Sequence, residues 1–394
     1  MFSRNRQRVF EAMGGSLVVV TAYDLLQWSG DMEVPFLQES SFWWLTGIEE
    51  PGWKAILDGA RHRTILVRPE REPIEVVFGG SLTDEQVLQL TGANEVIAMN
   101  DFEPMLRQLH RRHSTVYTLA ESRAHGFVLN PAGKQLTSVL KRIFDSVQVC
   151  SQQVNKLRAI KQPDEIAALQ QAIDLTIEAF EHIHEHMSEY RNECEIEAEF
   201  TYRFRRAAAV HAFQPVVAAG PRACMIHYFA NNQKVGARDP IVMDIGARVN
   251  GYSADIARTY CRNPTKRQKA VHAAIERARN QIIELIEPGR SVAEYLAKAD
   301  DIMKEQMIEL GLLSDKADDK TYRHYFPHAI GHGLGVDPHD SLGAPRFMEP
   351  GMVLTVEPGI YIPEEGIGMR LEDDVLVTDD GHRNLSAKLP TAIN

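Results

Sequence analysis

Two aspartates, Asp244 and Asp255, lie in the apolar stretch IVMDIGARVNGYSADIARTY, which covers residues 241–260. The dipeptide Asn250-Gly251 predicts a two-residue β-hairpin turn, because both central residues of a type I′ turn need a positive φ. Pairing around that turn joins residues whose numbers sum to 501, so both aspartates project from one face, about 7–8 Å apart at the backbone. Such acids are costly to bury without a positive charge between them. Two divalent cations about 3.5–4 Å apart would fit there; the alternative is a surface hairpin with two solvated acids.

A group of histidines follows in the stretch HYFPHAIGHGLGVDPHD, which contains His324, His328, His332 and His339. The glycines that alternate through its middle disfavour a long helix, so these histidines are not expected to form a helical pair. Glycines also let the backbone approach a ligand closely. The clustering favours a functional site, although any single histidine could equally be an ordinary core or surface residue.

Two glutamates near the C-terminus have a similar apolar setting. A hairpin centred on Glu364-Glu365 would place Glu357 opposite Glu372 on one face. Each lies among valines and leucines, and a glutamate in such surroundings needs a partner. The alternative is that they are edge-strand acids paired with Arg370 or a lysine.

Together these candidates are two aspartates, one histidine and two glutamates. An oxygen-rich set with one imidazole suits Mn²⁺, Fe²⁺, Co²⁺ or Zn²⁺, and the donor types alone do not choose among these metals. Four carboxylates would offset the charge of two divalent cations, which would explain why four such acids occur in apolar surroundings.

The elements that must position these residues form two groups. The first part of the chain alternates short apolar runs with helical patterns, which predicts an α/β domain. Strands are predicted at residues 16–23, 54–58, 63–68, 74–78 and 115–119, after an N-terminal helix, and helices at Thr83–Gln89, Phe102–His110 and Lys134–Phe144.

A domain boundary is predicted near residues 150–160. Beyond it, residues 161–187 form a strong helical pattern with Pro163 in the first turn and acids at the positive end of the helix dipole. Further helices are predicted at Glu193–Ala209, Lys266–Ile286 and Ser291–Leu310, and strands with tight loops from His324 to the end. The second part is therefore expected to be α+β, with helices packed on a mostly antiparallel sheet.

Composition narrows the partners and the compartment. The chain has 394 residues, of which 44% are hydrophobic and 25% charged, as in a globular protein of two domains. The formal net charge of −11 argues against a nucleic-acid partner. Four widely spaced cysteines indicate reduced thiols, and the N-terminal apolar run, Leu17–Val20, is too short for a signal peptide or a membrane span. We therefore expect a cytoplasmic protein without a membrane partner.

Four motifs occur together and in a fixed order: MDIGARVNGYSADIARTY, HAIGHGLGVDPHD, TVEPGIYI and GMRLEDDVLVT. In these the sequence resembles the pita-bread metallopeptidases, namely aminopeptidase P and prolidase, with methionine aminopeptidase and creatinase as relatives. The resemblance implies a creatinase N-terminal-like α/β domain at residues 1–155 and an α+β pita-bread catalytic domain, with a curved, mostly antiparallel sheet, at 156–394. The segment LQESSFWWLTGIEEPGW is similar to the first domain of aminopeptidase P and prolidase, which methionine aminopeptidases lack.

The resemblance also implies roles for individual residues. The metal ligands would be Asp244, Asp255, His332, Glu357 and Glu372, holding two divalent ions per subunit, with Mn²⁺ expected and Co²⁺, Zn²⁺ or Fe²⁺ as alternatives. The catalytic residues would be Glu357, which orients the attacking water, with His339 and His227. The substrate-binding residues would be His227, His328, His339, Tyr361 and Arg370. The departures from the family pattern, Ala257 for a commoner threonine and Met369-Arg370-Leu371 for Ile-Arg-Ile, remove no ligand.

The implied activity is hydrolysis of the bond between an N-terminal residue and proline, in small peptides with proline at the second position, by a homodimer or homotetramer. One alternative is a prolidase that cuts only Xaa-Pro dipeptides. Creatinase uses the fold without metal, and a catalytically inactive pita-bread protein would only bind peptides. Loss of a ligand would mark the inactive form, and every ligand position is occupied here by a suitable residue.

Overall fold

The computed structural model describes residues 1–120, 129–314 and 318–394. The chain divides into two compact units, Met1–Leu157 and Arg158–Asn394. Through residue 159 the elements are α1 Phe2–Met13, β1 Leu17–Thr21, β2 Gln27–Ser29, β3 Met32–Glu33, α2 Ser40–Thr46, β4 Lys54–Asp58, β5 Arg63–Arg68, α3 Pro73–Gly79, α4 Asp84–Thr91, β6 Glu95–Ala98, α5 Phe102–His110, β7 Thr115–Thr118, α6 Ala132–Ile143, β8 Ser146–Val149 and α7 Ser151–Ala159.

The first unit contains a six-stranded mixed sheet in the order β6-β5-β4-β1-β7-β8. Strand β1 pairs antiparallel with β4 and parallel with β7, and its five residues are all buried. Helices α5 and α6 supply apolar side chains to the same core. The predicted α/β architecture is confirmed. Strands β6 and β8 were not predicted, and none of their residues is fully buried.

One predicted strand is wrong. Residues 74–78 form helix α3, which begins with Pro73 in its first turn and a capping box in which Glu72 and Glu75 satisfy each other's backbone amides. The apolar run suggested a strand, yet the helix has no buried residue. Its apolar side chains are therefore exposed, and the start signal at its N-terminus decides the local structure.

In the second unit the elements are α8 Pro163–Glu185, α9 Glu193–Arg206, β9 Val210–His211, β10 Val216–Ala219, β11 Ile241–Ile245, β12 Ala247–Val249, β13 Tyr252–Ser253, β14 Ile256–Tyr260, α10 Lys266–Ile283, α11 Val292–Glu309, α12 Asp319–Tyr325, β15 Val353–Val356, β16 Gly359–Ile362, β17 Ile367–Arg370, β18 Asp373–Thr378 and β19 Gly381–Asn384. The strand pairings are antiparallel throughout the described part of this unit. The α+β class is thus confirmed.

Helix α8 supports the central hairpin. It begins with Pro163 and a capping box between Gln162 and Glu165, as its sequence predicts. The Tyr252 hydroxyl donates a 2.6 Å hydrogen bond to Glu165, and the amide of Ala247 donates to Thr176 at 3.0 Å. The hairpin is therefore anchored at two points along one helix. The main apolar core of the unit lies between α10, α11 and strands β15 to β18.

Two further features bear on the expectations from composition. Cys150, Cys194, Cys224 and Cys261 are free thiols. Over the described ranges, no helix has both the length and the apolar character needed to cross a membrane.

Candidate metal centre

The central hairpin brings its two aspartates together. Asp244 on β11 lies opposite Ala257 on β14, and Val249 lies opposite Tyr252, so the predicted register around the Asn-Gly turn is confirmed. Asp255 is 5% exposed. Carboxylate oxygens of both aspartates lie within 4.8 Å of each other and of a Glu372 oxygen. The two acids therefore share one face of the ribbon.

The second hairpin has the predicted register too. Gly359 pairs with Arg370, and Val356 pairs with Asp373, so the pairing sum of 729 continues on both sides of Glu357 and Glu372. A short 3₁₀ turn, Pro363–Glu365, closes the hairpin. The two glutamates consequently face each other, as the sequence predicts, and both are largely buried.

His332 comes from the irregular segment between α12 and β15. Its amide donates to the Thr355 hydroxyl at 3.1 Å, and its Nδ1 lies 3.0 Å from the carbonyl oxygen of Gly333. A carbonyl only accepts, so Nδ1 carries the proton and Nε2 presents its lone pair. Nε2 lies 3.6 Å from both Asp255 and Glu357. The imidazole is thus held in the tautomer that a metal ligand needs.

These five side chains form two overlapping donor sets. Asp244, Asp255 and Glu372 make one set, and His332, Glu357 and Glu372 make the other. Within each set the donor atoms lie within 4.8 Å of one another. Glu372 belongs to both sets, so the two donor sets adjoin each other.

Three carboxyl groups of the candidate metal centre have raised pKa values. Burial and the neighbouring Asp244 carboxylate raise the pKa of Asp255 well above its usual range. Burial and Asp255 do the same for the pKa of Glu372, and burial raises the pKa of Glu357 to about 8. Without cations these carboxyls therefore tend to hold protons.

Arg370 provides one positive charge against four carboxylates. Its guanidinium donates to Asp244 Oδ2 at 2.5 Å. The other oxygen, Asp244 Oδ1, is buried and accepts no hydrogen bond within the described ranges. A buried carboxylate oxygen without a donor fits a site built for a cation. The donor set and its charge thus fit divalent metal ions.

A hydrogen-bonded chain lies beside the glutamates. Arg370 donates to the Tyr361 hydroxyl at 3.1 Å, and that hydroxyl lies 2.9 Å from His328 Nε2. His328 Nδ1 in turn donates to the carbonyl of Ala329 at 2.8 Å. Burial and the nearby Arg370 charge lower the pKa of His328 to about 3. His328 is therefore a neutral imidazole whose orientation is fixed by Tyr361.

The remaining predicted histidines separate into two groups. His339 stacks on His332 with ring centroids 3.9 Å apart, and His227 stacks on Phe229 at 5.6 Å. Both histidines line the same cavity as the donor sets. His324, by contrast, is an exposed residue of α12 that contacts Glu364 at 3.0 Å, outside the cavity lining.

The cavity has a volume of about 290 Å³. Its lining contains the residues of the donor sets together with apolar residues that the sequence analysis missed: Phe213, Val216, Ile226, Phe229 and Pro338. These residues have no shared spacing in the sequence. Only the tertiary structure brings them together.

A buried network behind Glu372 was also missed. Arg258 is fully buried, donates to the carbonyl oxygen of Glu372 at 2.7 Å and pairs with Asp373 at 2.8 Å. The amide of Asp255 donates to Asp374 Oδ2 at 3.2 Å. The consecutive acids Glu372-Asp373-Asp374 were the available signal, because three buried acids in a row need cations and donors around them.

The fold and the site together define a two-unit protein with a carboxylate-rich candidate metal site. The model of metallopeptidase family M24 matches residues 167–379, and the model of the aminopeptidase P N-terminal domain matches residues 2–117. The Xaa-Pro aminopeptidase of Escherichia coli K12 is 31% identical, with 98% of this chain and 94% of the relative covered. Human Xaa-Pro aminopeptidase 3 is 30% identical, and the match covers 98% of this chain and 81% of the relative.

Solved structures of aminopeptidase P have the same fold as this chain. Aminopeptidase P from E. coli with the inhibitor Pro-Leu superposes with a TM-score of 0.87 at 28% identity, covering 99% of this chain and 95% of that one. A zinc-substituted form of the same enzyme with product gives 0.86 over the same shares. The chain belongs to metallopeptidase family M24 and has the pita-bread fold with an aminopeptidase P N-terminal domain. It is a metallopeptidase.

Proposed function

We propose that this protein is an Xaa-Pro aminopeptidase that uses two divalent metal ions held by Asp244, Asp255, His332, Glu357 and Glu372. The observation that carries the proposal is the convergence of these five side chains into two donor sets that share Glu372. Four carboxylates, two of them buried and two half-buried, face one arginine in the described part of the chain. Two divalent cations would balance the negative charge that remains. The relatives that match nearly the whole chain are named Xaa-Pro aminopeptidases.

We infer Mn²⁺ as the metal, with Co²⁺, Zn²⁺ and Fe²⁺ as the alternatives to be tested. Carboxylate oxygens suit Mn²⁺, and one imidazole is compatible with each of these ions. When bound, the cations would supply a nucleophilic water near neutral pH and a positive field for the substrate carbonyl oxygen.

Glu357 is assigned the proton transfers. Its carboxylate lies at the cavity wall, 3.6 Å from His332 and 3.4 Å from His328. It would accept a proton from the attacking water and pass it to the proline nitrogen. That nitrogen carries no hydrogen in an Xaa-Pro bond and must gain one before proline can leave.

The three cavity histidines are assigned to the substrate. His339 would donate a hydrogen bond to the oxygen that gains charge as the carbonyl is attacked. His227 and His328 would form the wall next to the proline ring. Tyr361 and Arg370 act through His328, since the Tyr361 hydroxyl lies 2.9 Å from His328 Nε2 and accepts a hydrogen bond from Arg370. They are positioning residues for this wall.

The second candidate, a prolidase, shares the chemistry and differs only in substrate length. An activity assay distinguishes the two candidate functions. The protein is stripped of metal with a chelator, Mn²⁺ is added back, and the proline-containing product from Xaa-Pro and from Xaa-Pro-Yaa-Zaa is followed side by side. We expect cleavage of the longer peptide after its first residue. Cleavage of the dipeptide alone would identify a prolidase. If neither peptide is cut with Mn²⁺, Co²⁺, Zn²⁺ or Fe²⁺, the proposal fails and the peptide-binding alternative is favoured.

We also propose that residues 1–155 and 156–394 are the functional domains, with the chemistry confined to the second. The lining residues of the cavity, from Phe213 to Glu372, all belong to that part. The first domain would serve contacts between subunits in a homodimer or homotetramer. Light scattering on the full chain and on residues 156–394 would test this, because loss of the oligomer in the shorter chain is expected.

A further inference from the structure

A second group of metal-ligating side chains occurs at the C-terminal end of helix α8. His182 and Glu185 lie in the last turn of α8, and His186, at i+4 from His182, is the residue that caps the helix. A donor atom from each lies within 4.8 Å of the others. The spacing of the two histidines is the one by which two imidazoles on a helix hold a transition metal.

The imidazoles are already held close together. Their ring centroids lie 4.0 Å apart, with an angle of 27° between the planes. His186 Nδ1 lies 2.9 Å from the carbonyl oxygen of His182 and can only donate to it. The lone pair of His186 is therefore on Nε2, the free nitrogen that a metal ligand uses. This carbonyl also accepts from the amide of His186 at 3.1 Å, so the ring is fixed against the end of the helix.

Two carboxylates lie next to the two imidazoles. Glu199 on helix α9 places Oε1 3.3 Å from His182 Nε2. Glu185 is exposed and contributes the third donor atom. Arg203 contacts Glu199 at 2.8 Å and offsets part of this charge. Two imidazoles and two carboxylates thus face one another where α8 ends, and a cation would satisfy both types of group.

The group is separate from the metal centre of the cavity. None of its side chains lines the cavity, and its donors differ in kind. The five ligands proposed for the cavity are four carboxylates and one imidazole, whereas the helix end offers two imidazoles and one carboxylate in its donor set. Imidazole-rich sites favour Cu²⁺, Ni²⁺ and Zn²⁺, while carboxylate-rich sites suit Mn²⁺. The two sites should therefore select different ions.

We propose that His182, Glu185 and His186 form an additional binding site for one divalent transition-metal ion of the imidazole-preferring class. The ion would lie against the last turn of α8, with Glu199 of α9 beside it. The proposal is independent of the peptidase assignment, because the two sites have no residue in common.

The test uses the full-length protein saturated with Mn²⁺ and compares three forms: wild type, the double variant His182→Gln/His186→Gln, and His184→Gln as the matched control. His184 lies between the two ligands in sequence, but its ring packs on Tyr260 with centroids 4.5 Å apart. Each form is titrated with Cu²⁺, and uptake is measured by equilibrium dialysis and by electron paramagnetic resonance. Because Cu²⁺ that replaces Mn²⁺ in the cavity is the same in all three forms, the difference in uptake reports only the helix site.

We expect wild type and His184→Gln to bind one equivalent of Cu²⁺ per chain more than the double variant, with a spectrum split by two nitrogens. Peptide hydrolysis with Mn²⁺ should be the same in all three forms, which shows that the double variant is folded. Equal Cu²⁺ uptake by wild type and the double variant would overturn the proposal. Equal loss of uptake in His184→Gln would also overturn it, because the effect would then not be specific to the pair.

Discussion

Replacing Gly246 with alanine should impair the metal centre, although no ligand is changed. Gly246 lies between Asp244 and the hairpin turn, opposite Asp255 in the register. A Cβ atom at this position would lie 1.7 Å from the carbonyl oxygen of Ala254. That oxygen belongs to the backbone, so no side-chain rotation can remove the clash. The strands must separate between the two aspartates.

The required movement follows from the distance. Real Cβ contacts essentially never fall below 3.0 Å, so the two backbones must move apart by about 1.3 Å. A misplacement of about 1 Å near reacting groups costs roughly 10²-fold in rate, which corresponds to about 2.7 kcal/mol of activation free energy. We therefore expect Gly246→Ala to lower kcat/KM by about 10²-fold and to weaken Mn²⁺ binding.

A second glycine gives a graded comparison. A Cβ at Gly331 would lie 2.1 Å from the carbonyl oxygen of Thr355, which is a smaller overlap beside His332. Gly331→Ala should therefore lose less activity than Gly246→Ala. Gly79 is the matched control, because a Cβ there meets nothing within 4 Å. Gly79→Ala should retain the wild-type rate.

The assay combines peptide hydrolysis at saturating Mn²⁺ with thermal unfolding and metal stoichiometry. Cooperative unfolding of Gly246→Ala would show that the chain still folds and that the loss is local. Wild-type kcat/KM together with wild-type Mn²⁺ binding in a folded Gly246→Ala protein would refute the reasoning, since the aspartates would then tolerate separation of their strands.

Three further outcomes are expected. Glu357→Gln should retain the fold but lower the single-turnover rate of hydrolysis by about 10²–10⁴-fold. A folded variant with the wild-type rate would show that Glu357 does not carry out the proton transfers. Asp373→Asn should destabilise the protein by about 3–5 kcal/mol in urea unfolding, because the buried Arg258 and Arg279 lose the carboxylate with which they form ion pairs, whereas Asp379→Asn on the surface should change little. These arginines hold the pKa of Asp373 well below its usual range despite its burial, so the stabilisation is present at neutral pH and should disappear as the pH falls below about 4. Metal uptake at pH 7 should release protons, because the pKa of Glu357 is raised to about 8 and the carboxyl is protonated without metal. Calorimetry in two buffers of different ionisation enthalpy measures the number of protons released. A metal affinity that does not rise with pH would contradict this prediction.

The registers of both hairpins could be predicted from the sequence. The Asn250-Gly251 turn and the 3₁₀ turn at residues 363–365 fix which residues pair. Strand alternation with period 2 then decides which side chains share a face. Asp244 with Asp255, and Glu357 with Glu372, are placed by these local rules alone. The start of helix α8 is also local, because Pro163 and the capping box around it are read directly from the sequence.

Local patterns failed where burial was assumed rather than known. The apolar residues of 74–78 suggested a strand, but they form an exposed helix, and the capping signal at Glu72 and Glu75 was the better guide. The histidine pair on α8 was equally visible as a spacing, but the approach of Glu199 from another helix is not a local property.

The sequence by itself determined the candidate ligand types, the two hairpin registers and the family, because turn chemistry, strand periodicity and motif order are properties of neighbouring residues. Only the tertiary structure decided how His332 meets the acids, how Arg370 and Tyr361 orient His328, and which apolar residues form the cavity wall. These contacts join segments far apart in the chain. Their geometry depends on how the whole core packs, and packing has no signature in any single stretch of sequence.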